Sequence, residues 1–92
     1  MARPKIHREI CTQAPHSCFK PNGVSMGKLE KVSLLAEELE ALRLADEQGL
    51  SQLEAAEIMQ VSRQTFGNIV KSARRKVANC LVNGHALMLE QP

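Results

Sequence analysis

Ninety-two residues, 43% of them hydrophobic and 24% charged, make a single small globular domain with tails and leave no material for a second core. Phe19 and Phe66 stand alone in the Phe/Tyr/Trp class, so the core must be aliphatic; this favours packed helices over a β-sandwich or barrel, and no apolar run is long enough to span a membrane. The net charge of +2 resolves into +4 over residues 1–31, −6 over 32–60 and +4 over 61–92, which favours a polyanionic partner met by the two ends.

Residues 1–31 read as an irregular basic arm. Pro4, Pro15, Pro21, Gly23 and Gly27 punctuate it, and Pro21-Asn22-Gly23 is a turn signal. Lys5 to Cys11 has the makings of a short strand, and Ala2-Arg3-Pro4-Lys5 is either a solvated terminus or an arm for a minor groove. Residues 32–84 form the domain proper. Val32–Leu35 is an apolar lead-in, after which Leu35, Leu39, Leu42 and Ala45 line one face of a first helix with Glu38, Arg43 and Glu47 outside it. The start at Leu35–Ala36 offers no capping side chain, although Glu37 and Glu38 suit the positive end of the dipole; Gly49 is the natural terminator.

Ser51 followed by Glu54 predicts a capping box for a short second helix with Leu53, Ala55, Ala56 and Met59 inward, ending near Gln60. Ser62 caps a third helix whose stripe is Phe66, Ile69, Val70, Ala73, Val77, Cys80 and Leu81 and which stops at Asn83-Gly84. Gly67 within it suits either close approach to a ligand or packing inside the domain. Residues 85–92 form a tail in which Ala86–Leu89 is a second candidate strand, needing a partner in this chain or in another subunit.

The segment from Gln52 to Ile69 carries the functional signal. Two helices crossing steeply at a short turn need a small residue at the closest point (Ala56), plugs at the corner (Met59, Val61) and anchors on the second helix (Phe66, Ile69). That predicts an all-α, three-helix helix-turn-helix domain in which Arg63, Gln64, Thr65, Asn68 and Lys71 face outward, where a major groove would lie. Arg pairs bidentately with guanine and Asn or Gln with adenine, so Arg63, Gln64 and Asn68 are assigned to base edges. Ser62, Thr65, Lys71, Arg74 and Arg75 are assigned to phosphates, with Lys76 also within reach of the backbone. The turn residue after Met59, where Gly is usual, is Gln60, which predicts a wider or mildly strained turn.

Glu38 to Asp46, Gly49-Leu50-Ser51-Gln52 with Ala55-Ala56-Glu57, Val61 to Phe66 and Ser72 to Ala78, together with Arg3-Pro4 and Phe19 to Gly23, resemble a small prokaryotic family, domain of unknown function 134, over nearly the whole chain. Its helices in turn look like region 4 of the primary sigma factors. The resemblance implies a sigma-like helical fold and DNA binding, and names no operator or effector. Where the family often starts its first helix with Thr or Asp, this chain has Leu35–Ala36.

The partner expected is double-stranded DNA, and the function a sequence-specific transcriptional regulator in the cytoplasm; a homodimer and RNA polymerase are further partners, and a sigma-like protein-interaction module is the alternative function. His7, Cys11, His16 and Cys18 are metal-capable, but their spacing lacks a tight Cys-x2-Cys knuckle. No metal and no cofactor are therefore expected, with zinc or iron at these four residues of a metal- or redox-responsive regulator as the alternative. Cys80 belongs to the apolar stripe and is read as core. Without a phosphate loop, paired carboxylates or a nucleophile beside a base, no enzymatic activity is expected.

Overall fold

A computed structural model describes residues 16–90; the expected strand at Lys5–Cys11, the arm Ala2–Lys5, and His7 and Cys11 lie outside the described residues. In chain order these residues form β1 (Cys18–Phe19), a 3-10 turn (Met26–Lys28), β2 (Lys31–Leu34), α1 (Ala36–Leu42) continued by a π-helical turn (Arg43–Glu47), α2 (Gln52–Met59), α3 (Arg63–Asn83) and β3 (Ala86–Leu89). The molecule is mostly helical, but the expectation of an all-α fold is corrected by a three-stranded sheet of order β1-β3-β2 among the described residues.

β3, the candidate strand of the tail, is the central one. It pairs antiparallel with β1 (Phe19 opposite Leu87) and parallel with β2 (Leu34 opposite Leu89). Parallel neighbours need a long crossover, and here residues 36–83, the whole helical unit, supply it. Val32–Leu35 is thus not a lead-in to the first helix but mostly strand, exposed at Lys31 and Ser33 and buried at Leu34. Pairing between segments more than fifty residues apart leaves no mark in a four-residue window.

α1 starts on half a capping box: the Leu35 backbone N–H donates to Glu38 Oε1 at 2.9 Å, while Leu35 has no side-chain acceptor to return the bond. Glu38, expected outside, is 3% exposed, because Ser72 and Lys76 of α3 bring donors to its carboxylate. After Leu42 the helix widens, with the Gln48 N–H reaching the Arg43 carbonyl at 2.8 Å, and Gly49 ends it at φ +75° as expected. Of the apolar residues here Ala41 and Leu44 are buried, whereas Leu39, Leu42 and Ala45 pack at the margin.

α2 buries Ala55, Ala56 and Met59 against α3, which leaves Leu53, expected inward, more than half exposed. The core stripe of α3 holds from Phe66 through Cys80, but Leu81 is 80% exposed. One residue past Cys80 rotates a side chain by about 100° off the buried line and onto the solvent flank. Two apolar clusters result. The larger (Ala41, Leu44, Ala55, Ala56, Met59, Phe66, Ile69, Val70) joins the helices, and the smaller (Leu34, Ala73, Leu89) seals α3 to the sheet.

Candidate nucleic-acid interface

The outward face of α3 is positioned by the turn that precedes it. α2 opens on the expected reciprocal cap: the Glu54 N–H donates to Ser51 Oγ at 3.1 Å and the Ser51 N–H to Glu54 Oε1 at 3.0 Å. These bonds also hold the Glu54 carboxyl below the usual carboxylate range. α2 closes at Gln60, which adopts the left-handed conformation (φ 59°, ψ 46°) that the turn imposes, so the corner keeps its tight geometry with a non-glycine residue in it. Of the described non-glycine residues Gln60 alone has a positive φ, a conformation that costs an L-residue roughly 1–2 kcal/mol. The Val61 N–H to Ala56 carbonyl bond at 3.0 Å ties the turn back to the small residue at the crossing.

Ser62 then starts α3. Its Oγ accepts from the Thr65 N–H at 3.0 Å and donates to Thr65 Oγ1 at 2.9 Å. The Ser62 hydroxyl is thus committed to the cap, and of this pair it is Thr65 that keeps a hydroxyl proton for an external acceptor.

From here Gln64, Asn68, Lys71 and Arg75 recur at i, i+4, i+7 and i+11, all exposed, with exposed Arg63 beside them. Phe66, Ile69, Val70 and Ala73 occupy the opposite, buried side of the same turns. Domain packing does not require the glycine at position 67: a Cβ there would lie 3.4 Å from Oε1 of Gln52, the movable end of a side chain.

Arg74, assigned to phosphate contact, and Lys76, expected within reach of the backbone, are turned elsewhere. Arg74 lies on the flank facing the π-helical turn and grips Asp46 with both donors, Nε to Oδ2 at 3.1 Å and Nη2 to Oδ1 at 2.8 Å. The guanidinium holds the Asp46 carboxyl low, and the carboxylate raises the Arg74 pKa further. Lys76 lies on the other flank, where Nζ donates to Glu38 Oε1 at 2.7 Å and to the Ser33 carbonyl at 2.8 Å. Lys76 is a brace between α3, α1 and β2 and does not join the outward row.

Residues 1–91 match the family model described as a protein of unknown function, DUF134. The chain belongs to this family. A UPF0251 protein of Vibrio parahaemolyticus is 68% identical over 88 residues, covering 96% of this chain and 92% of its own. One from Aeromonas salmonicida is 58% identical over 90 residues (98% and 88%), and one from Shewanella pealeana 52% over 91 residues (99% and 95%). No solved structure matches the chain.

In this DUF134 chain sequence reasoning missed the partners of α3 rather than its face. Asp46 carried no signal as the mate of Arg74, because 28 residues separate them; the same holds for Glu38 with Ser72 and Lys76. Of the four metal-capable residues, His16 is exposed and Cys18 half-buried in β1, while His7 and Cys11 lie outside the described residues. Among the described residues no group of three or more His, Cys, Asp or Glu is placed to hold a metal ion, and no helix is long and apolar enough to cross a membrane. Cys80 is buried in α3, and burial pushes its thiol pKa up.

Proposed function

We propose that this chain binds double-stranded DNA sequence-specifically as a transcriptional regulator, with α2 and α3 acting as a helix-turn-helix akin to sigma region 4 and α3 as the recognition helix. The observation that carries the reading is the outward row itself. Arg63, Gln64, Asn68, Lys71 and Arg75 form a face of base-pairing and cationic groups in which no described residue occupies their donors and acceptors. That face begins at a capped N-terminus whose first-turn amides suit phosphate. Arg63, Gln64 and Asn68 have the geometry for purine edges; Thr65, Lys71 and Arg75 are the phosphate contacts in direct reach. Arg74 joins them only by exchanging Asp46 for a phosphate, and Ser62 contributes by holding the cap.

Selection of bound duplexes from a random pool tests the proposal, and enrichment of a defined sequence is the expected result. Arg63→Ala should then cost roughly 1–3 kcal/mol on that sequence and relax preference at one position, whereas Lys71→Ala should weaken all duplexes alike and lower the salt slope by about one. Binding no stronger or more selective than that of a basic peptide of equal charge would falsify the reading.

A further inference from the structure

Gly67 is a glycine that the fold itself does not need. Gly49 and Gly84 have left-handed φ values of 75° and 70°, where a side chain would be strained, but Gly67 sits inside the 21-residue helix α3 without a positive φ. Among the described residues, only Oε1 of Gln52 comes within 4 Å of the Cβ that an alanine would place there, at 3.4 Å, an ordinary van der Waals separation. Apart from proline, no residue suits a helix interior less. Glycine at this position therefore weakens α3 without improving the packing of α2 on it.

Its place on the helix points to a partner outside the chain. At about 100° per residue, Gly67 lies about 60° from exposed Gln64 on one side and about 60° from buried Val70 on the other, at the margin of the outward face. Arg63 one turn before and Lys71 one turn after are exposed and lie within about 40° of it, so bare backbone separates two cations. The margin is the one beside α2, because the neighbour of Gly67 is Gln52, the first residue of that helix. When a helix-turn-helix docks, its second helix enters the major groove and its first crosses the DNA backbone. An α-helix with its side chains is about 10–12 Å across and the groove about 12 Å wide, so the margins of the helix meet the groove walls with almost no clearance.

We infer that Gly67 is where α3 touches the sugar–phosphate strand crossed by α2, and that its missing side chain sets how deeply the helix sits in the groove. Positive charge at Arg63 and Lys71 draws the strand toward the helix, and the absence of a Cβ between them admits it. The readers Arg63, Gln64 and Asn68 reach base edges only at that depth.

The assignment rests on the DNA reading of α3, and one variant separates the two. Gly67→Ala should raise the melting temperature of the full chain by roughly 4–8 °C, the shift that one Gly-to-Ala exchange inside a helix gives a domain of this size. The same variant should bind the selected duplex roughly 5- to 150-fold more weakly, the range for one methyl group forced into a filled space. The loss should be equal on every single-base variant of that duplex, because a groove wall carries no sequence, and it should persist when Gln52→Ala is added. Undiminished affinity in Gly67→Ala overturns the assignment. So does a loss that vanishes on changing one base pair, which places Gly67 against a base, or one that vanishes in the Gln52→Ala background, which makes the methyl group act through Gln52. A lowered melting temperature overturns it too, because the fold then needs the glycine. If no duplex is enriched from the random pool, the DNA reading falls and the assignment with it; if one is enriched and Gly67→Ala binds it as the wild type does, the assignment alone falls.

Discussion

Two ion pairs flank α3, alike in composition and unlike in surroundings. Glu38 and Lys76 meet at 2.7 Å with side chains 4% and 28% exposed, and Asp46 and Arg74 at 2.8 Å with side chains 47% and 52% exposed. Burial alone would raise the Glu38 carboxyl, but the hydrogen bonds from Lys76, Ser72 and the Leu35 amide outweigh it and leave the group below its ordinary value. Asp46 is held low by its Arg74 hydrogen bonds, with little desolvation to oppose them. A charge out of water needs its partner to remain in place, whereas a charge in water can exchange one partner for another. The Glu38 cluster therefore fixes how α3 sits on α1 and β2, and the Asp46 pair is one that a phosphate can replace.

The comparison breaks most sharply at Lys76. Lys76→Ala leaves the buried Glu38 carboxylate with only Ser72 and an amide, and unfolding should become easier by about 3 kcal/mol, at the low end of the loss for a stranded buried charge because those two donors remain. Chemical denaturation checks it, and an unchanged midpoint would mean that the cluster bears no weight.

Acid gives the next largest effect. Glu38 has a depressed folded pKa, so its contribution is fully present above the unfolded carboxyl value near 4.3 and is lost as the pH falls through the lower folded value. The melting temperature should fall over that window. Glu38→Gln should be less stable at neutral pH and flatter in acid, and an acid limb as steep as the wild type's would reassign the titration to other carboxylates.

Asp46→Asn sharpens the contrast from the weak side. Stability should move by less than about 0.5 kcal/mol, as is usual for an exposed pair. The released Arg74 should strengthen binding to every duplex severalfold and steepen the salt slope by up to about one unit. A slope identical to that of the wild type would leave Arg74 outside the phosphate contacts altogether.

What could be read ahead of the structure follows the reach of each interaction. Ser51 with Glu54, Ser62 with Thr65, and the terminators Gly49 and Gly84 act within one helical turn, and each was legible where it stands. The stripe from Phe66 to Cys80 was legible because a period of 3.6 is itself a sequence property. Leu53 and Leu81 misled for the complementary reason: the pattern marks a residue as apolar, and only the position of the neighbouring helices says whether anything covers it. The outward row on α3 was readable as a row. Which of its cations are occupied was not, because Asp46 and Glu38 lie 28 and 38 residues before Arg74 and Lys76.

By itself the sequence determined that the chain is small, aliphatic and largely helical, where its helices begin and end, and that Arg63 to Arg75 carries a row of basic and amide side chains. Tertiary structure alone decided that Ala86–Leu89 threads between β1 and β2, that Glu38 goes inside, and that Arg74 and Lys76 turn away from the row. Caps and periodicity are written in neighbouring residues, whereas strand pairing and the choice of a charge's partner depend on which distant segments the aliphatic core brings together.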